Sequence, residues 1–514
     1  MKKTLSFFLT LFCVVAATTA QVQLAESPSR IYDNVRKSLT SPMNYNFIGD
    51  KNNNFYLLLG NQTLCKLNSD VTEAETFTLQ QRITDEVLFN FSSDETMGLI
   101  GFVEGNTSLI FNKFEFSADG NDFSSEKVAE LDCSRGDTFK FCMCENNDKT
   151  AKSVLVTLIS KDNEYQNSYV LTFGADGNLL WQTQIEPHFQ RPNFTFDDMA
   201  LSADANQIFV LTKSYNFKNG TATNTILELL RIDQSGIIDK ISQECPFAEI
   251  RNMKCKILNN NNLFIAGFYR DGGSETDGGS FSALLNLQLN TFDIASKTFK
   301  ESVARGAKPN NIFKSNFMKK IAGIYQLSDT NIVVVGEDRQ VKISQNALEN
   351  NTASTSYIFN AANIFVGFYS PDGNLKRFSP IYKSQNGEKI DVRYLPQTKF
   401  NELQNELLHQ PISVRAIQSN NKLFLFFNDN IQNPIYQNIM RREEFNQWEM
   451  KTKGVTVLCT IEGNNIDRRK TLLINSKDTS RIFYEIIYNK NHKALVLTQL
   501  LKGKNDFTFE KLTY

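Results

Sequence analysis

The stretch FGADGNLLWQTQI, Phe173 to Ile185, decides the fold. Two apolar runs flank Ala-Asp-Gly-Asn, a turn in which Gly and Asn adopt positive φ at little cost, so the segment reads as a β-hairpin. Close relatives recur along the chain: FSADGNDF at 116–123, RIDQSGIID at 231–239 and YSPDGNLKRF at 369–378. The hairpin is therefore one copy of a repeat.

A second element precedes each copy, a polar turn followed by a dense apolar run: ANQIFVLTK, NNNLFIAGFY, DTNIVVVGE, NNKLFLFFND and NHKALVLTQ. Short apolar runs bounded by turn residues read as buried strands. Joining the two elements gives a unit of four strands, A to D, that restarts after roughly 45 to 65 residues. In the fourth unit the strands are expected at 198–202, 207–214, 226–232 and 237–243. Seven complete units begin near Tyr45, Val87, Phe139, Phe196, Ile250, Lys320 and Ile412. An eighth, 481–514, has only three strands, and the segment 21–33 is expected to supply the fourth and close the ring. The reading is all-β: one ring of eight four-stranded blades, with seven as the alternative. Closure removes exposed sheet edges.

FGADGNLLW resembles the C–D hairpin of secreted β-propellers, including those with quinoprotein-type repeats that end in a strand-borne Trp; Trp181 occupies that place. The resemblance covers nearly the whole chain after its leader and implies the propeller architecture. SADANQIF at 202–209 approaches the Asp-box of sialidase-like propellers, Ser-x-Asp-x-Gly-x-x-aromatic, with Asn206 where Gly belongs. That box is a structural turn and implies no hydrolysis.

The chain opens MKKTLSFFLTLFCVVAATTAQVQ, two lysines ahead of an apolar run and then small residues, which reads as a secretory signal peptide over 1–20. The run is shorter than the roughly 20 residues a membrane span needs. The division is then 1–20 leader, 21–42 N-terminal segment with the closing strand, and 43–514 propeller, exported and without a span. Lys+Arg 55 against Asp+Glu 56 gives a formal net charge of −1. Loss of Lys2 and Lys3 takes it to about −3, so nothing draws a phosphate backbone and nucleic acid is not an expected partner.

Of the eight Cys, Cys13 falls in the leader. Two bridges are expected among the others: Cys245 with Cys255, and Cys133 with either Cys142 or Cys144, each tying the end of one blade to the start of the next. Short loops of this kind contribute about 2 to 3 kcal/mol on the chain-entropy model. The alternative is buried thiols acting as small hydrophobes.

Only three His are present, with no HExxH, GxSxG or GxxxxGK[ST] pattern and no GxGxxG between strand and helix. No catalytic set is assigned and no metal site or cofactor is predicted, beyond a calcium candidate at Asp271, Glu275 and Asp277.

Connection lengths are asymmetric. The A–B and C–D turns are short, whereas the B–C and D–A connections hold nearly every long insertion, and all of these fall on the opposite face of the ring. Long loops on a rigid scaffold are the usual seat of binding. They carry aromatic and basic side chains together: Phe189 and Arg191, Tyr269 and Arg270, Arg393 and Tyr394, and Tyr436, Arg441, Arg442 and Trp448. Such residues are enriched at protein-binding hot spots, and aromatic rings stack on sugars. Short helices are expected near 399–408 and 441–449. The functional expectation is a non-catalytic module that binds a protein or glycan on the long-loop face. The alternative is a polysaccharide-cleaving or quinoprotein-like enzyme with its site in the central channel.

Overall fold

The computed structural model describes residues 23–25 and most of 45–513, with the longer breaks at 26–44, 186–194, 303–317, 393–412, 434–447 and 473–480. The leader and the expected helix at 399–408 lie outside the described residues. The described chain is almost wholly antiparallel β-meander and forms a single β-propeller.

Seven four-stranded blades are built from consecutive chain, the alternative count rather than eight. Blade 1 spans Tyr45–Lys51, Asn54–Leu59, Thr63–Asn68 and Ala74–Thr78. Blades 2 to 7 open with Glu86–Ser92, Thr138–Glu145, Thr195–Leu201, Glu249–Ile257, Met318–Ser328 and Arg415–Ser419. In blade 7 the outer strand is broken into Asn465–Ile466 and Lys470–Leu472. The last repeat cannot make a blade by itself. Its three strands, Arg481–Lys490, Lys493–Leu500 and Asp506–Thr513, form a composite sheet in which Gln23–Ala25 pairs with the strand at 511–513.

The B strands are continuous apolar runs because neighbouring sheets cover both of their faces. Leu263 to Tyr269 is buried throughout, and so is Leu423 to Asp429. Each interface between sheets is one apolar cluster. Phe111 and Val156 meet between blades 2 and 3, and Leu211 and Ile265 between blades 4 and 5. Ala494 and Val496 of the composite sheet pack on Phe424 and Phe426 of blade 7, while Leu495 packs with Leu57 and Leu67 of blade 1.

The hairpin 173–185 is the C–D corner of blade 3, with Thr172 opposite Trp181. The Asp176 carboxylate accepts bonds from the Asn178 backbone and side-chain amides at 3.0 and 2.7 Å, fixing the turn. Gly177 has φ 76°, and a Cβ there would lie 2.6 Å from the ring of Phe91 in blade 2. Lys113 of blade 2 donates to Asn178 Oδ1 at 2.8 Å. The same corner in blade 6 leans on blade 5, where Ser282 Oγ donates to the Gly373 carbonyl at 2.7 Å. The tight turns thus latch each of these blades to the one before it. Gly177→Val combines backbone strain with overpacking and is expected to cost about 2–4 kcal/mol, read as a lowered urea midpoint with unchanged slope.

Three sequence expectations change. YNFKNGTATN in blade 4 is mostly hairpin, not loop: Ile208–Lys218 and Thr221–Asp233 stay paired out to Lys218 opposite Thr221. In blade 6 the long B–C insertion is likewise strand over most of its length, Asn331–Ala347 against Ala353–Tyr369. Gln385–Val392 adds a further strand to this ribbon. Trp448–Glu449 pairs in parallel with Gln385 and Asn386, so the end of the expected helix at 441–449 is strand; 441–447 lies outside the described residues.

Candidate functional site at the channel and the long-loop face

The A strands of successive blades lie against one another and line the centre of the ring. In blades 1, 2, 4, 5 and 6 this strand skips one residue against its partner, at Ile48, Leu88, Asp197, Arg251 and Ala322. A bulge re-aims side chains and leaves backbone groups unpaired within their own sheet. Neighbouring blades use this freedom. The Cys255 amide donates to Asp198 Oδ2 at 2.9 Å, and the Ile321 amide to Asn252 Oδ1 at 2.7 Å. The Tyr215 hydroxyl donates to the Ile250 carbonyl at 3.0 Å.

A pocket of roughly 220 Å³ opens on the A strands of blades 3 to 6, lined by Cys144, Glu145, Asp198, Lys254, Cys255 and Lys256 among others. Burial lifts the Asp198 carboxyl above the usual carboxylate range, against the opposing pull of Lys254 and the Cys255 amide. Burial lowers Lys256 from its ordinary value. Lys320, at the start of the blade 6 A strand, is brought down to about 8 by burial and then by Arg339 and Lys254. Burial acts the other way on the thiols, raising Cys142 to about 11 and Cys144 and Cys255 well above the ordinary range. These sulfurs stay protonated at neutral pH and are poor nucleophiles.

On the long-loop side of the channel the strand ends carry charge. Lys213 pairs with Asp197 at 2.9 Å, and Arg251 and Arg270 both reach Glu249 at 2.7 Å. At the root of the blade 6 ribbon the charges are buried: Lys319 meets Asp338 at 2.9 Å with 2% and 0% side-chain exposure. Glu337 accepts from Lys383, from Arg339 Nε at 2.9 Å and from the Val414 amide of blade 7 at 3.0 Å. Burial by itself would raise the Glu337 carboxyl, but Lys383 and Arg339 outweigh it and hold it below the usual range. Lys383 also bonds Gln385, whose side-chain amide donates to the Asn428 carbonyl of blade 7. Sequence reasoning missed this network. Its members are scattered over 319–428, and only the apolar runs ending in charge at VVVGEDR and FFND hinted at it.

Of the loop residues singled out from sequence, Tyr269 and Arg270 sit at the end of the blade 5 B strand, facing the long-loop side. The Tyr269 ring is buried and stacks on Phe247 at 4.0 Å and 13°, while Arg270 is held by Glu249. Phe189, Arg191, Arg393, Tyr394, Tyr436, Arg441 and Arg442 lie outside the described residues, and for Trp448 only the backbone pairing is described. Asp271 Oδ1 accepts the Ala248 amide at 3.1 Å; Glu275 and Asp277, the other members of the calcium candidate, lie outside the described residues.

The seven described cysteines are free thiols. Cys133 packs in the apolar cluster between blades 2 and 3, and Cys142 and Cys144 in the one between blades 3 and 4, so the sheet of blade 3 stands between them. Cys245 and Cys255 share a cluster, with the Cys245 thiol turned to the Gln243 carbonyl at 3.8 Å. Among the described residues no helix is long and apolar enough to cross a membrane.

Trp181 ties two blades: its Nε1–H donates to the Ala205 carbonyl at 2.8 Å, in the A–B turn of blade 4. That turn is the Asp-box-like segment, where Ser202 Oγ donates to Asp204 Oδ1 at 2.6 Å and Ala205 takes φ 60°.

No protein-family model and no curated protein matches the chain. Among solved structures it is similar to the polysaccharide lyase Uly1, at 9% identity and TM-score 0.36, over 85% of this chain and 91% of that one. A variant of B. megaterium levansucrase aligns at 10% identity and TM-score 0.31, over 70% and 88%. The β-propeller domain of the Trilobed protease from Pyrococcus furiosus aligns at 12% identity and TM-score 0.26, over 73% and 94%. By its own repeated meanders, packed face to face around inner strands, the chain is a β-propeller repeat protein.

Proposed function

We propose that this chain is an exported, non-catalytic propeller that binds a protein or glycan partner through the face carrying its long B–C and D–A segments. The observation that carries the reading is the blade 6 ribbon. Two strands of 17 residues, Asn331–Ala347 and Ala353–Tyr369, extend the blade on that face and are joined there by Gln385–Val392. Its root is fixed by buried charge, which gives a platform with little freedom to lose on docking. The leader supports export, and the Gln23–Ala25 strand completes the ring in this reading.

The test is capture from cell envelope and culture fluid with the purified chain, compared with Tyr436→Ala/Arg441→Ala/Trp448→Ala. A partner retained by the native chain and lost by a still-folded variant is the expected result; equal recovery by both sinks the reading. One observation favours an enzyme instead, the Asp198 carboxyl raised by burial beside Lys254 in the channel, since perturbed carboxyls gather at catalytic sites. Polysaccharide cleavage by the native chain that disappears in Asp198→Asn selects that alternative.

A further inference from the structure

The channel gathers three lysines whose ammonium groups are in no close ion pair, although Asp198 acts on Lys254, Glu145 on Lys256 and Glu337 on Lys320 from farther off. Lys254 and Lys256 line the pocket two residues apart on one inner strand, and Lys320 on the next inner strand lies near enough to Lys254 to feel its charge. Among the described residues, none of the three side chains makes a hydrogen bond or a close ion pair. Their acidic neighbours are otherwise placed: Asp198 accepts the Cys255 amide, Glu145 is exposed at the rim, and Glu337 is taken by Lys383 and Arg339. For Lys256 and Lys320 burial outweighs the pull of these carboxylates, so their ammonium groups keep a desolvation cost that the fold offsets only in part. A ligand that brings negative charge into the pocket would offset it.

We propose that the channel pocket is a binding site for an oxyanion, a carboxylate, sulfate or phosphate group held by Lys254 and Lys256 with Lys320 adding charge from the adjoining blade. The group arrives either as a free inorganic anion or as the acidic end of a saccharide. The site is separate from the docking face: its residues belong to inner strands, not to the long B–C and D–A segments. Ammonium groups bind oxyanions as compact point charges, so recognition here is by charge and depth more than by planar geometry. The groups facing Lys320 are Arg339, Lys254 and Glu337. With Lys320 titrating near 8, anion affinity is expected to hold below that pH and to fall as pH rises through it, because the neutral amine offers no charge.

The experiment is calorimetric titration of the purified full chain with three probes: inorganic phosphate, oligogalacturonate and neutral maltohexaose. Binding of phosphate, of oligogalacturonate or of both, weakened by salt and reduced at least tenfold in Lys254→Gln/Lys256→Gln, is the expected result. Phosphate alone identifies a free anion as ligand; oligogalacturonate alone identifies an acidic glycan end. The double variant should stay folded, checked by its melting temperature, since neither ammonium group is held in a close ion pair. No binding by either anion, equal binding of maltohexaose, or anion binding unchanged in the double variant overturns the proposal. Failure here leaves partner capture through the loop face unaffected, so the two readings fail independently.

Discussion

Replacing Glu337 with alanine is expected to cost about 3–5 kcal/mol, because it strands the buried Lys383 ammonium without its carboxylate and leaves the Val414 amide without an acceptor. The side chains of Glu337 and Lys383 are both 0% exposed, so water cannot replace the lost partner. The loss falls on the junction of blades 6 and 7 and on the root of the ribbon, where Lys383 and Gln385 continue the same network. Chemical denaturation should show it as a lower midpoint; a change below 1 kcal/mol would mean that the network is not what joins these blades. The pH dependence has a definite sign. The folded Glu337 carboxyl lies below its unfolded value, so its contribution is complete above the ordinary glutamate range, about 4.3, and is lost as pH falls through the lower folded value. Glu337→Gln should flatten that part of the acid limb.

The second large effect is expected at Trp181. Truncation to alanine removes a side chain that is 9% exposed, opens a cavity between blades 3 and 4, and deprives the Ala205 carbonyl of its donor. Loss of a buried aromatic of this size costs about 3–5 kcal/mol. Trp181→Phe keeps much of the apolar contact and forfeits the hydrogen bond, with an expected cost of about 1–2 kcal/mol. Comparing the two by thermal and urea unfolding separates packing from the indole bond. Equal losses would show that the bond carries the whole contact, and a negligible loss in both would show that this joint is redundant.

The repeat was legible because its signals are local. Turn residues at fixed offsets from dense apolar runs placed the unit starts at Tyr45, Phe139, Phe196 and Ile250, each within one residue of the observed strand start. The hairpin at Phe173 and its kin were read correctly for the same reason. The extensions of blades 4 and 6 were not, since NFKNGTATN and the segment after Glu337 are rich in Asn, Gly and Ser. A ribbon standing clear of the core needs no apolar face, so the composition of a loop and that of a solvated hairpin coincide. The channel lysines escaped for a different reason. Lys254, Lys256 and Lys320 each look like a lone charge in a half-buried strand, and their convergence exists only once the blades are set around a common axis. The spacing of Cys133 to Cys142 and Cys144 misled similarly, because chain proximity says nothing about which side of a sheet a thiol faces.

The bulged inner strands have a consequence for how the molecule breathes. Most backbone amides are protected by the ladder of their own blade, but those of Cys255, Ile321 and Val414 are tied to a side chain of the preceding blade. Their hydrogen exchange therefore reports the parting of one blade from the next rather than the fraying of a sheet. A few deuterium-exchange rates can then distinguish a ring that opens at one seam from a ring whose blades melt one at a time.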